Sequence, residues 1–138
     1  MTAATAADAR NKAILNNDVV SVRYQIADVP RAIEFYKSLG FTVEMAAGSA
    51  FASVSLGNLR LLLSGPGSSG ARPMPDGRKQ EPGGWNRILI YVEDLEERVQ
   101  SLKARGVPFR NAIERGPGGS QILIEDPDGN AIELHQPA

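Results

Sequence analysis

Residues 19 to 41 read VVSVRYQIADVPRAIEFYKSLGF, with apolar residues first alternating with polar ones and then recurring three and four apart. Alternation is the pattern of a half-buried strand; the longer step is that of an amphipathic helix. The same order returns in NRILIYVEDLEERVQSLKARGV, residues 86 to 107. In each copy an Asp (Asp28, Asp94) marks the switch and a Gly (Gly40, Gly106) follows 12 residues later. The Asp is placed to cap the first free helix amides, and the Gly to end the helix in the left-handed region. Asp94 with Glu97 also has capping-box spacing. Val29, Ile33 and Tyr36 predict the buried face of the first helix; Leu95, Val99 and Leu102 repeat those steps in the second.

The correspondence continues beyond the helices. FASVSLGNLRLLL (51–63) and SQILIEDPDGNAIELH (120–135) each read as strand, turn, strand. Asp126-Pro127-Asp128-Gly129 spells a type I turn, with Pro preset for the second position and Gly at the fourth. Phe41 to Glu44 and Val107 to Phe109 supply a further strand before each hairpin. Each half is therefore β-α-β-β-β, with a helix on one face of its sheet only, and pairing two halves buries more surface. The predicted fold class is α+β, two βαβββ repeats related by a pseudo-twofold axis with a cleft between curved sheets. The expected division is an N-terminal extension at 1–17, ending at Asn16-Asn17, and a single domain at 18–138. Within it, repeat one spans 18–63, a Gly-, Pro- and Ser-rich loop 64–86, and repeat two 87–137. The loop is either a plain linker or a lid bringing Arg72, Arg78, Lys79 or Trp85 to a ligand.

Strand periodicity sorts the faces. Val20, Val22, Tyr24 and Ile26 suit the helix side of the first strand, so Ser21, Arg23 and Gln25 point into the cleft. In the second copy Ile88, Ile90 and Val92 go under the helix and leave Arg87, Leu89 and Tyr91. In the last strand Ile132 and Leu134 pack inward, leaving Ala131, Glu133 and His135. A face this polar costs free energy unless its groups pair with one another, with water or with a ligand, which makes it the candidate site.

Composition narrows the chemistry. The chain has 138 residues, a formal net charge of −1 and no cysteine. There is no basic excess for nucleic acid, and no thiolate site, disulfide or cysteine nucleophile. The absence of cysteine fits the cytoplasm. No apolar run approaches the roughly 20 residues of a membrane span, and MTAATAADARNKAILNN lacks the order of a secretory signal. No serine stands in a nucleophile elbow, and the glycine-rich GSSG and GPGG lack the ending of a P-loop.

ADVPRAIEFYKSLGF and the ending EDPDGNAIELHQP resemble the vicinal oxygen chelate superfamily, which includes glyoxalase I, extradiol dioxygenases, and fosfomycin- and bleomycin-resistance proteins. The resemblance extends from Val19 to Pro137. It implies a homodimer and, in metal-dependent members, ligands on the first and last strand of each repeat. A first-strand ligand stands seven residues before the capping Asp, which here gives Ser21 and Arg87. The last-strand ligand of repeat two falls on Glu133, and aligning Gly57-Asn58 with Gly129-Asn130 gives Leu61 in repeat one. Arg87 is a permanent cation where a metal would sit, so the resemblance implies a lost metal set. No cofactor is expected, a divalent metal being the alternative.

Two functions follow from this reading. One is a metal-free small-molecule binder, for sequestration or sensing, with Arg87 paired to Glu133 and contacts from Ser21, Arg23, Gln25, Leu61, Trp85, Tyr91 and His135. The other is a lyase, isomerase or dioxygenase acting on a small oxygenated metabolite, with an unusual metal set or acid–base chemistry from Glu133 and His135. Arg23 is open to three roles: ligand contact, dimer interface, or a salt bridge to Glu133.

Overall fold

A computed structural model describes residues 19–138. The expected N-terminal extension lies outside the described residues. Repeat one comprises β1 (Val20–Gln25), α1 (Val29–Ser38), β2 (Thr42–Ala47), β3 (Phe51–Leu56) and β4 (Leu59–Ser64). Repeat two comprises β5 (Ile88–Tyr91), α2 (Leu95–Ala104), β6 (Glu114–Gly116), β7 (Gly119–Glu125) and β8 (Ala131–Pro137). The sheets have matching orders, β1-β4-β3-β2 and β5-β8-β7-β6, and in each the first strand runs parallel to the last.

Both helices start and stop as the sequence dictates. Asp28 accepts from the amide of Arg31, and Asp94 from that of Glu97. Gly40 and Gly106 have φ of 101° and 77°, so each turns where a side chain would be strained. Val29, Ala32 and Tyr36 are buried on α1, and Leu95, Val99 and Leu102 on α2. Fully buried Leu61, Leu63, Ile132 and Leu134 face them from the sheets. At about 1.5–3 kcal/mol for each such side chain, these layers hold each helix to its sheet. Among the described residues no helix is long and apolar enough to cross a membrane.

The extra strand of repeat two is not at Val107–Phe109, as the sequence suggested. Phe109 makes only an isolated bridge to Ile124. The amide of Glu125 donates to the Pro108 carbonyl and that of Arg110 to the Leu123 carbonyl, but the Asn111 side chain then takes the Leu123 amide. With that donor capped the ladder cannot continue, and pairing resumes at β6 across Glu114–Gln121. In repeat one the strand runs to Ala47, past the expected Glu44, with a register shift between Val43 and Met45.

The turn at 126–130 joins the halves. Asp126, 1% exposed, accepts from the Tyr36 hydroxyl of α1 at 2.7 Å and from the amides of Asp128 and Asn130 at 2.9 Å each. Asp128 Oδ1 accepts from the Ala27 amide and from Arg31, and Asn130 donates to the Gln25 carbonyl. Tyr24 reaches across as well: its hydroxyl accepts from the Ile88 amide at 2.9 Å and donates to the Ala131 carbonyl at 2.8 Å.

Candidate functional site

The sheet faces turned away from the helices carry the polar groups, and the register fixes their membership. On β5 and β8, Leu89 pairs with Glu133 and Tyr91 with His135, while the alternate pairs Ile88–Ile132 and Ile90–Leu134 point to the core. On β1 and β4, Arg23 pairs with Leu62 and Gln25 with Ser64. Ser21, Arg23 and Gln25 thus lie on the expected face, as do Arg87, Tyr91, Glu133 and His135.

Leu61 does not. It pairs with Val22 and Val54, is fully buried, and belongs to the core. Arg23 and Leu89 each stand five residues before their capping Asp, so the partner of Arg23, Leu62, is the true counterpart of Glu133. The misplacement comes from the turns. The β3–β4 hairpin closes at Leu56–Leu59, whereas β7–β8 closes at Glu125–Ala131, so the two Gly-Asn pairs sit at different places in loops of different length.

Arg87 and Glu133 meet as the sequence reading expected. Arg87 donates from Nε at 3.0 Å and Nη2 at 2.9 Å, both to Glu133 Oε1. The Arg87 side chain is 31% exposed and that of Glu133 8%, so this is a half-desolvated pair rather than a surface one. Glu133 Oε2 lies 3.4 Å from His135 Nδ1, and His135 Nε2 lies 3.1 Å from the Gly118 carbonyl. Both ring nitrogens therefore face oxygen acceptors. Tyr91 packs edge-on to His135 with ring centroids 5.7 Å apart.

Trp85, whose carbonyl accepts from Arg87 Nη1 at 3.3 Å, and Tyr91 are 67% and 70% exposed. Arg110 lies 4.5 Å above the Trp85 ring and donates to Glu125, to the Gly84 carbonyl and to the Gly129 carbonyl. Nothing in strand periodicity marked Arg110, because it belongs to the irregular stretch after α2.

Arg23 and Gln25 are held elsewhere. Arg23 Nη1 donates to Ser64 Oγ at 2.7 Å, and no salt bridge joins it to Glu133. Gln25 donates to the Gly70 carbonyl at 2.9 Å. The 64–86 loop is thus fastened to repeat one at Gly70 and to repeat two where the Gly83 amide donates to Asn130 Oδ1 at 2.8 Å. Arg78, one of the residues that a lid would bring to a ligand, pairs with Asp76 on the same loop. Among the described residues no three His, Asp or Glu side chains gather as a metal site would require. Buried Tyr24 and Tyr36 have hydroxyl pKa values raised first of all by burial, and well above the ordinary value for Tyr36, so both act as neutral donors.

Several solved structures share this architecture. A superfamily member from Sphaerobacter thermophilus DSM 20745 is 27% identical, with a TM-score of 0.69 over 89% of this chain and 99% of that one. TnmS3, an antibiotic binding protein from Streptomyces sp. CB03234, is 25% identical, with a TM-score of 0.68 over 91% and 99%. Lactoylglutathione lyase from Agrobacterium tumefaciens, at 22% identity and a TM-score of 0.68 over 88% and 94%, shares the fold. None of the curated proteins matches the sequence. The family model described as Glyoxalase/Bleomycin resistance protein/Dioxygenase superfamily matches residues 19–134. With both βαβββ repeats inside that match, the chain belongs to the glyoxalase/bleomycin resistance protein/dioxygenase superfamily.

Proposed function

We propose that the protein is a cytoplasmic, homodimeric small-molecule binder that sequesters or senses its ligand without a metal, on the open face around Arg87, Glu133, Tyr91 and Trp85. One observation carries this reading: the Arg87 guanidinium makes two hydrogen bonds to the carboxylate that stands at the family's metal-ligand position. A guanidinium has five donors, no acceptor and a permanent charge, so it competes with a cation for Glu133 and cannot join it as a ligand. Ser21 and Leu62 at the counterpart positions add no strong ligand. The exposed ring of Tyr91, packed on His135, offers flat apolar area near the ion pair, and Trp85 stands exposed two residues before Arg87, as suits a binding site for organic molecules. Similarity to an antibiotic binding protein supports the same class of function. For the dimer, the support is that β2 has all six residues exposed, Met45 among them at 50%.

The competing enzyme reading rests on the His135–Glu133 contact, a potential acid–base pair. Elemental analysis of untagged protein, followed by titration with nickel, zinc, manganese and iron and a thermal-shift panel of natural products and metabolites, separates the two. The binder predicts no stoichiometric metal and a Tm raised by particular compounds. Stoichiometric metal that disappears in Glu133→Ala overturns it.

A further inference from the structure

β1 and β5 are the edge strands of the two sheets, and residues of both line a cavity of about 320 Å³ at the seam between them, with Arg23, Gln25, Glu81, Asn86 and Arg87 in its wall. The two arginines differ in their neutralisation. Arg87 spends two donors on Glu133 and directs Nη1 to the Trp85 carbonyl at 3.3 Å. Arg23 has only the Ser64 hydroxyl, a neutral partner, and among the described residues no carboxylate lies within 4.0 Å of it.

Arg23 also lies against the loop: a Cβ at Gly70 would fall 2.2 Å from its Nη1 and 2.7 Å from its Cζ, so the loop backbone passes directly beside the guanidinium. Gln25, the neighbour on the same face, bolts that glycine through its carbonyl. The bond to Ser64 orients the guanidinium, which presents parallel donors suited to an oxyanion. A second cavity, of about 290 Å³, shares Gln25 and Glu81 and is walled by Pro66, Pro73 and Pro82.

We propose that the seam is an anion subsite: Arg23, with the Arg87 edge and Asn86 opposite, takes the carboxylate or phosphoryl group of a small organic acid whose apolar end lies under the loop prolines. This deepens the binder reading and rests on it, by giving the ligand a charge and a polarity. Glu81, in the wall of both cavities, opposes an incoming anion and so weakens the site.

The test is a titration of the full chain with inorganic phosphate, butyrate and the uncharged butyramide, followed by ¹H–¹⁵N chemical shifts and calorimetry. Phosphate and butyrate are expected to shift the amides of Arg23 and Gly70, with butyrate ahead of butyramide. Arg23→Gln should weaken anion binding about tenfold, the loss of a charge-assisted fork, and Glu81→Gln should strengthen it about two- to threefold. Arg105→Gln, at the exposed end of α2, should leave it unchanged. Anion shifts absent from the seam, butyramide binding equal to butyrate, or equal affinity in Arg23→Gln would each overturn the subsite. Metal analysis decides the binder reading separately: a metal on Glu133 sinks that reading, whereas neutral ligands bound at Trp85 and Tyr91 with no anion preference sink only this one.

Discussion

Tyr36→Phe isolates one hydrogen bond that joins the two halves of the molecule. The ring is fully buried and packs edge-on to Phe35 at 5.1 Å and Phe41 at 5.5 Å, so phenylalanine keeps those contacts and their apolar burial. What is lost is the 2.7 Å bond from the hydroxyl to Asp126 Oδ2. Asp126 keeps the amides of Asp128 and Asn130 and the Asn130 side chain, all at 2.9 Å, and so remains bonded but under-solvated. A hydrogen bond to a charged group contributes about 1.5–3 kcal/mol, which for a domain of this size lowers Tm by about 5–15 °C. The pH dependence separates this cause from a packing defect. Burial raises the Asp126 pKa above 3.8 even though four donors pull it down, and removing Tyr36 as a donor raises it further. In both proteins the folded state therefore binds the proton more readily than the unfolded chain does, and ionised Asp126 costs stability above its folded pKa. The difference between variant and parent is full at pH 7 and shrinks as pH falls toward 4, where the neutral acid needs the donor less. Urea melts of both proteins across that range measure it. A loss under about 0.5 kcal/mol at pH 7, or one constant with pH, refutes a charge-assisted clasp.

Tyr24→Phe strips partners from the Ile88 amide and the Ala131 carbonyl together and should cost about 1–3 kcal/mol in the same melts; an unchanged midpoint would mean that water replaces the hydroxyl. Gly119→Ala places a Cβ 2.1 Å from the backbone oxygen of Gln136 at a φ of 124°, a destabilisation of about 2–4 kcal/mol. Gly116→Ala, which meets nothing within 4 Å, should stay within about 0.5 kcal/mol of the parent, and equal effects at the two glycines would contradict the strand register. Arg110→Lys gives up a fork that ties Glu125 to the carbonyls of Gly84 and Gly129, so trypsin should cut the 64–86 loop at Arg78 or Lys79 about fivefold faster or more, whereas unchanged cleavage would mean that the fork does not anchor the loop.

The sequence by itself determined the repeat, the helix limits and the strand faces. Those features are local: capping Asp28 and Asp94, closing Gly40 and Gly106, and the two- and four-residue periods act within a few residues of chain. The Arg87–Glu133 pair was legible for the same reason, since both residues sit on strands whose facing follows from periodicity. Tertiary structure decided whatever depended on register or on an irregular segment. It moved the counterpart of Glu133 from Leu61 to Leu62, because hairpin loop length sets register and one residue of slip exchanges core for open face. It brought Arg23 to Ser64 and beside the loop at Gly70, one of the roles left open being a pair with Glu133, since a loop without periodicity carries no signal of where it will dock. It turned the DPDGN stretch from a turn signature into the clasp of Tyr36, Arg31, Ala27 and Gln25, partners about 90 to 105 residues away that no local pattern could name.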